Sequence, residues 1–284
     1  MPTATEGPRM SIVDFRLLRD LIHSHAGLHF RDDLQYLVER RLAPRVRALG
    51  LDGFAAYHRY LRFDAGWAAE LEMATEALTT NETYFFREPA QLQAFAGQIL
   101  PALAAQRRGE RRLRVWSAGC SSGEEAYTVA ILLRGSGLFA GWDVGVFGSD
   151  ISRKMLATAR AAAYGPHSFR GVEAEAMIRW FQPVGEKWTV EGAVRRMVSF
   201  GHLNLLDEAA VALVEPVDCI FCRNVLIYFD LPARRHVLES FRRRLRPGGW
   251  LLLGHSESLL SVTADFEMVQ LEGDLAYRKP GASP

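Results

Sequence analysis

The segment Val115-Trp-Ser-Ala-Gly-Cys-Ser-Ser-Gly-Glu-Glu-Ala-Tyr127 constrains the fold of this chain more than any other. An apolar strand delivers Gly119 into a tight turn, and Gly123 opens a helix. Small residues at such a joint let a ligand approach the backbone, where the amides of a helix N-terminus point outward. In an open α/β sheet that places a ligand at the carboxyl ends of the strands.

The rest of the chain supports the same architecture. Leu113 to Gly119 and Asp143 to Ser149 read as strands around a helix over Glu124 to Arg134. Ser152, a candidate N-cap, begins an alanine-rich helix that reads to Tyr164. Met197 to Leu203, Val217 to Cys222 and Trp250 to Leu253 are apolar enough for buried parallel strands. Leu231 to Leu245 has helical spacing and stops at Arg246-Pro-Gly-Gly249. Phe266 to Leu271 and Leu275 to Arg278 form a closing hairpin. The alternation predicts an α/β fold with a doubly wound sheet and antiparallel pairing at one edge.

Before residue 80 the pattern is different. Phe15, Leu18, Leu21 and Ile22, then Leu34, Leu37, Val38 and Leu42, recur at helical spacing. Residues 10–78 therefore read as an N-terminal all-helical domain, 79–111 as a linker with a helix, and 112–280 as the sheet domain. Residues 165–196 fit the alternation poorly. Trp188-Thr-Val190 and Ala193-Val-Arg-Arg196, flanking Glu191-Gly192, suggest a short hairpin in an inserted subdomain.

The turn also narrows the ligand. The dinucleotide fingerprint wants G-x-G-x-x-G and an acid ~20 residues on. Here only Gly119 and Gly123 are present, and the acid, Asp150, comes later, at the end of the second strand. Glu124 and Glu125 sit where a pyrophosphate needs a positive field, so a cationic ligand without phosphates is favoured. S-adenosylmethionine, with a sulfonium, an amine and one carboxylate, is such a ligand, and Asp150 is placed to accept hydrogen bonds from its ribose. A tight strand–helix joint without a ligand explains the glycines equally well; the paired acids and Asp150 favour the cofactor.

Composition excludes several classes. A net charge of +1 over 284 residues argues against whole-chain attraction to nucleic acid or anionic lipid. No apolar run approaches the ~20 residues that span a bilayer, so no direct membrane insertion is expected. Met1 to Met10 has no hydrophobic stretch of the secretory kind, and three cysteines build no disulfide framework, so the expected location is cytoplasmic. Cys219 and Cys222 have C-x-x-C spacing but lie within a strand and read as core, and no metal is expected. Gly254-His-Ser-Glu-Ser258 lacks the final glycine of a hydrolase elbow and reads as a strand-end turn lining the pocket. Arg40, Arg41, Arg45, Arg47, Arg59 and Arg62 read as a solvated basic helix face.

Two further segments make the chain specific. Thr79-Thr-Asn-Glu-Thr-Tyr-Phe-Phe-Arg-Glu88 precedes the sheet, and Phe221-Cys-Arg-Asn-Val-Leu-Ile-Tyr-Phe-Asp230 runs off the fourth strand. With Trp116 to Glu125, Arg246-Pro-Gly-Gly249 and Gly254 to Ser258, they resemble the bacterial chemotaxis receptor methyltransferases over roughly residues 12 to 278. The resemblance implies a class I S-adenosylmethionine methyltransferase that esterifies glutamates on the cytoplasmic domain of a chemotaxis-type receptor and releases S-adenosylhomocysteine. It implies cofactor contacts from Asn81, Thr83, Arg87, Gly119, Glu125, Asp150, Asn204, Leu205, Arg223 and Asn224. Arg87 and Tyr228 are implied near the transferred methyl as the catalytic pair.

The family's inserted β-subdomain, which docks onto the receptor, corresponds to residues 178–199. The stretch between Phe181 and Phe200 is short for that family, which argues against tethering to a receptor C-terminal peptide. The basic helix face suits glutamate-rich receptor helices. It suits an RNA methyltransferase too, but the near-neutral charge and Cys222-Arg-Asn-Val225, in place of an N/D-P-P-Y-type loop, argue against that rival. A small-molecule methyltransferase and an inactive cofactor-binding regulator are the remaining alternatives; the intact Arg87, Asn204, Asn224 and Tyr228 weigh against the second.

Overall fold

The computed structural model describes residues 8–281, so the reading of Met1 to Met10 falls largely outside the described residues. The chain divides into two compact units. One comprises the residues up to Thr80 with Tyr228–Ala233; the other comprises Asn81–Ile227 and the residues from Arg234 onward.

The first unit is helical: α1 (Ile12–Ala26), α2 (Gln35–Ala48), α3 (Phe54–Phe63) and α4 (Trp67–Leu78). A capping box starts α1. The Ser11 hydroxyl accepts the Asp14 N–H at 3.1 Å, and the Asp14 carboxylate accepts the Ser11 N–H at 3.3 Å. Gly27, at φ 70°, ends the helix with its N–H on the His23 carbonyl. The spacing read from sequence buries Phe15, Leu18 and Ile22 of α1 against Val38, Leu42 and Val46 of α2, Tyr57 and Leu61 of α3, and Leu71 and Ala74 of α4.

The basic face divides into two kinds of arginine. Arg40, Arg47, Arg59 and Arg62 are exposed, as expected. Arg45 instead reaches inward to Glu70, which is buried and also accepts the Tyr57 hydroxyl at 2.7 Å. Arg41 donates to the Thr79 carbonyl (3.2 Å) and the Thr80 hydroxyl (3.1 Å). Helical spacing identifies which arginines share a face but not which of them meet a buried acid 25 residues away.

The second unit begins with α5 (Pro89–Ala94), which passes through a π turn (Phe95–Ile99) into α6 (Leu100–Gln106). There follow β1 (Arg112–Ala118), α7 (Glu124–Gly135), β2 (Asp143–Asp150), α8 (Arg153–Ala161), β3 (Ala163–Tyr164), α9 (Ala174–Trp180), β4 (Phe181–Val184), β5 (Lys187–Val190) and α10 (Gly192–Arg195). The chain continues through β6 (Val198–His202), α11 (Glu208–Ala212), β7 (Val217–Cys222), α12 (Leu231–Arg244), β8 (Leu245–Leu253), β9 (Glu267–Leu271) and β10 (Asp274–Arg278).

The seven-stranded sheet has the order β6-β2-β1-β7-β8-β10-β9. Pairing is parallel from β6 to β8, and β10 runs antiparallel to both β8 and β9. This is the expected doubly wound α/β sheet with its edge hairpin. Every residue of β7 is buried, which is why Val217 to Cys222 reads as an uninterrupted apolar run. Cys219 and Cys222 are core residues whose thiols burial pushes up. The order reverses between β1 and β7, which opens a crevice at the carboxyl ends of the strands.

The region 165–196 departs from the sequence reading. The hairpin lies one element upstream, pairing Phe181–Val184 with Lys187–Val190 around Gly185-Glu186, and β3 extends it to a three-stranded sheet. Gly185, at φ 59°, supplies the left-handed backbone that so short a loop requires. Glu191 serves instead as N-cap of α10, its carboxylate accepting the Val194 N–H at 3.1 Å. The Ser152 cap is found, with its hydroxyl on the Met155 N–H, but α8 stops at Ala161 because Ala162 turns left-handed and releases Ala163 and Tyr164 into β3.

Candidate functional site

Four loops converge at the strand ends of the second unit, and the turn after β1 organises them. Gly119 adopts φ 81°, and a Cβ there would collide with Val225 Cγ2. Gly123 adopts φ 93°, and a Cβ would lie 2.8 Å from Ala159 Cβ on α8. Both glycines are therefore required by close approach as well as by conformation.

Asp150, at the end of β2, fixes the turn. Its carboxylate accepts the N–H of Ser121 at 2.7 Å and of Ser152 at 2.8 Å. Its main-chain carbonyl accepts the Leu203 N–H at 3.0 Å. The next loop, after β6, is an Asx turn in which Asn204 Oδ1 accepts the Leu206 N–H at 3.0 Å, with Leu205 buried.

The paired acids of the turn separate. Glu124 is buried beneath the turn, accepting the hydroxyls of Ser122 (2.7 Å) and Ser168 (2.8 Å). Glu125 accepts the Ser117 hydroxyl at 2.7 Å and faces Arg223 Nη1 at 3.3 Å. Burial pushes both carboxyls up, and for Glu125 the Arg223 guanidinium is the main opposing influence. Arg223 is itself buried. It donates through Nη2 to the Arg87 carbonyl (2.6 Å) and to Glu88 (2.9 Å).

The segment before α5 is anchored at its middle. Phe85 is fully buried, with ring centroids 4.9, 5.2 and 4.7 Å from Tyr164, Phe169 and Phe181. Its N–H donates to the Ser168 carbonyl at 2.9 Å, and the Phe86 N–H to the Thr128 hydroxyl at 3.2 Å. On either side, the Asn81 carbonyl accepts the Ser121 hydroxyl (3.3 Å), and Arg87 Nη1 donates to the Glu82 carbonyl (3.0 Å). Thr83 lies on the same segment, half-buried. Phe86 and Glu88 both hold positive φ, 57° and 59°, a conformation costing ~1–3 kcal/mol that the surrounding contacts must hold in place.

Asn81, Thr83, Arg87, Gly119, Glu125, Asp150, Asn204, Leu205, Arg223 and Asn224 all belong to the second unit. Tyr228 belongs to the helical unit, where its carbonyl accepts the His29 N–H at 2.8 Å and its neighbour Asp230 meets His23 Nε2 at 3.0 Å. Sequence reasoning missed Phe85 as an anchor, though the adjacent Phe85-Phe86 pair in a polar segment was a usable signal.

The residues present fit a ligand with both charges of an amino acid. Arg223 Nε, a donor, and Asn224 Oδ1, an acceptor, are buried without a hydrogen-bond partner among the described residues. A ligand carboxylate and a ligand ammonium complement that pair. The carboxylates of Glu88, Glu125 and Asp150 outnumber the guanidiniums of Arg87 and Arg223, which favours a cationic ligand overall.

Comparison with known proteins accords with this geometry. Residues 13–79 match the family described as CheR methyltransferase, all-alpha domain, and residues 81–274 match CheR methyltransferase, SAM binding domain. The chain is 35% identical over 274 residues to chemotaxis protein methyltransferase 2 of Vibrio cholerae serotype O1, covering 94% of this chain and 93% of that one. It is 36% identical to the chemotaxis protein methyltransferase of Salmonella typhimurium, covering 96% and 92%. It is 37% identical to that of Vibrio parahaemolyticus, covering 93% and 96%.

Proposed function

The chain belongs to the CheR methyltransferase family and is an S-adenosylmethionine-dependent methyltransferase of the class I fold, and on that premise we propose that its acceptor is a glutamate side chain on the cytoplasmic domain of a chemotaxis-type receptor. S-adenosylmethionine supplies the electrophilic methyl, and S-adenosylhomocysteine is the product. The observation that carries the site assignment is the orphaned pair of Arg223 Nε and Asn224 Oδ1, which complements the amino-acid end of that cofactor.

A glutamate, with a reference pKa of ~4.3, is already ionised at neutral pH, so transfer requires no general base. What the protein contributes is alignment, worth up to roughly 7–11 kcal/mol when complete, and exclusion of water from the acceptor. In this reading Asn81, Thr83, Gly119, Glu125, Asp150, Asn204, Leu205, Arg223 and Asn224 hold the cofactor. Arg87, steadied by the Glu82 carbonyl, turns its remaining donors to the acceptor carboxylate. The family resemblance gives Tyr228 the second catalytic role, that of a single hydrogen-bond donor to the acceptor carboxylate. The exposed Arg40, Arg47, Arg59 and Arg62 suit the acidic helices of such a receptor. A cytoplasmic location accords with this partner, and none of the described helices is long and apolar enough to cross a membrane.

Titration with S-adenosylhomocysteine tests the cofactor site, and micromolar or tighter binding is expected. Labelled methyl transfer to receptor cytoplasmic fragments tests the acceptor. A glutamate ester releases its label as methanol in mild alkali; a label that survives alkali refutes the glutamate assignment.

A further inference from the structure

Glu257 lies in the turn that follows β8, outside every residue assigned above to cofactor or acceptor. Its Oε2 accepts the main-chain N–H of Asn224 (2.7 Å) and of Gly254 (2.8 Å), and its Oε1 those of Val225 (2.9 Å) and Ile227 (3.2 Å). A carboxylate has about four lone-pair sites, so these amides saturate it and leave none for a ligand. Its role is exerted through the chain it grips.

That chain is the loop leaving β7. Asn224 holds φ 59°, a left-handed conformation unfavourable for a residue with a side chain. A Cβ on Gly254 would lie 2.9 Å from the Asn224 nitrogen, so the end of β8 is pressed directly against the loop. The loop carries the orphaned Arg223 Nε and Asn224 Oδ1 and leads into Tyr228. Hydrogen bonds to an ionised acceptor are the strong kind. Four of them converging on one side chain hold the left-handed turn at Asn224 and the start of the 3-10 turn that follows it, Leu226–Tyr228.

We infer that Glu257 is a positioning residue for methyl transfer: it holds the Asn224–Ile227 main chain in the conformation that presents Arg223 and Asn224 to the cofactor, an inference that rests on the cofactor site proposed above. The substitution that isolates this role is Glu257→Gln. The amide keeps the size of the side chain, but in either flip it turns an NH2 donor toward two of the four N–H groups.

The experiment compares wild type, Glu257→Gln and Leu103→Ala, the last removing buried packing in α6 as a control for lost stability. At a temperature where all three are folded by circular dichroism, Glu257→Gln is expected to lower kcat/KM about thirtyfold or more and weaken S-adenosylhomocysteine binding about tenfold. Leu103→Ala is expected to keep both within about threefold. Retention of wild-type turnover and affinity by Glu257→Gln, or an equal loss in Leu103→Ala, overturns the inference. Should Glu257→Gln fail to fold, hydrogen exchange on wild type decides. The amides of Asn224, Val225, Ile227 and Gly254 are expected to exchange at least about a hundredfold slower than an open loop, and open-loop rates overturn the inference. If wild type itself binds no S-adenosylhomocysteine, the cofactor reading fails, while the exchange pattern still reports whether the clamp exists.

Discussion

Glu70 in the helical unit and Glu257 at the strand ends are both carboxylates withdrawn from water, yet they are neutralised in opposite ways. Glu70 meets a cation and a hydroxyl, Arg45 and Tyr57, and so ties α2, α3 and α4 to one another. Glu257 meets main-chain amides and so grips a loop. Burial pushes the Tyr57 hydroxyl up, with the Glu70 carboxylate adding to the effect. Burial likewise pushes the Glu257 carboxyl up, but the four amides pull against it. A side-chain partner thus ties one helix to another, whereas main-chain amide partners hold the path of the turn that leads from β7 into the 3-10 turn at Leu226–Tyr228.

The contrast can be broken most forcefully at Glu70. Glu70→Ala leaves Arg45 and Tyr57 without their buried acceptor and should lower unfolding free energy by about 3–5 kcal/mol in urea denaturation. The folded fraction should still bind S-adenosylhomocysteine with affinity within about threefold of wild type. A loss of affinity with stability intact would show that the two acids do not divide as described. Arg87→Ala tests the functional side: transfer should fall about 100-fold or more while cofactor affinity falls less than about tenfold. Unchanged turnover would refute the role given to Arg87.

Gly119→Ala strains the turn itself. The new Cβ meets Val225 while the backbone is held at positive φ. Cofactor affinity should fall about tenfold, in keeping with a strain of ~1–3 kcal/mol, and Val225→Ala in the same chain should recover part of it.

The smallest effect concerns pH. Burial raises the Glu125 carboxyl above its ordinary 4.5 in the folded protein, against the pull of Arg223. Between 4.5 and that raised value the folded state binds more protons than the unfolded chain, so this group's contribution to stability is full below 4.5 and is lost as pH rises through the folded value. Glu125→Gln should therefore flatten the stability curve on the alkaline side of pH 4.5. Superimposable curves for variant and wild type would remove Glu125 from the account.

Much of the geometry of the candidate site was legible because its signals are local. Gly119 and Gly123 stand out where a strand meets a helix, and both prove to need positive φ. Val217 to Cys222 reads as a buried strand because both of its faces are covered. The inserted hairpin was misplaced because Gly185-Glu186 and Glu191-Gly192 carry similar turn chemistry, and only the pairing of β5 with β3 as well as β4 distinguishes them. The paired Glu124 and Glu125 looked alike, and their separation depends on Ser168 and Arg223, which lie 44 and 98 residues away.

By itself the sequence determined the helical and α/β parts of the chain, the positions of most strands, and the turn around which a cofactor site is built. Periodicity, capping and glycine conformation act over a few residues and are written in consecutive positions. Only the tertiary structure decided that Glu125 faces Arg223 while Glu124 lies beneath the turn, that Phe85 anchors the segment before the sheet, that Arg45 points inward, and that Glu257 accepts the amides of the loop after β7. Each of those depends on partners brought together by the packing of distant segments, 33 residues apart for Glu257 and Asn224, and no local pattern encodes where a carboxylate will find its donors.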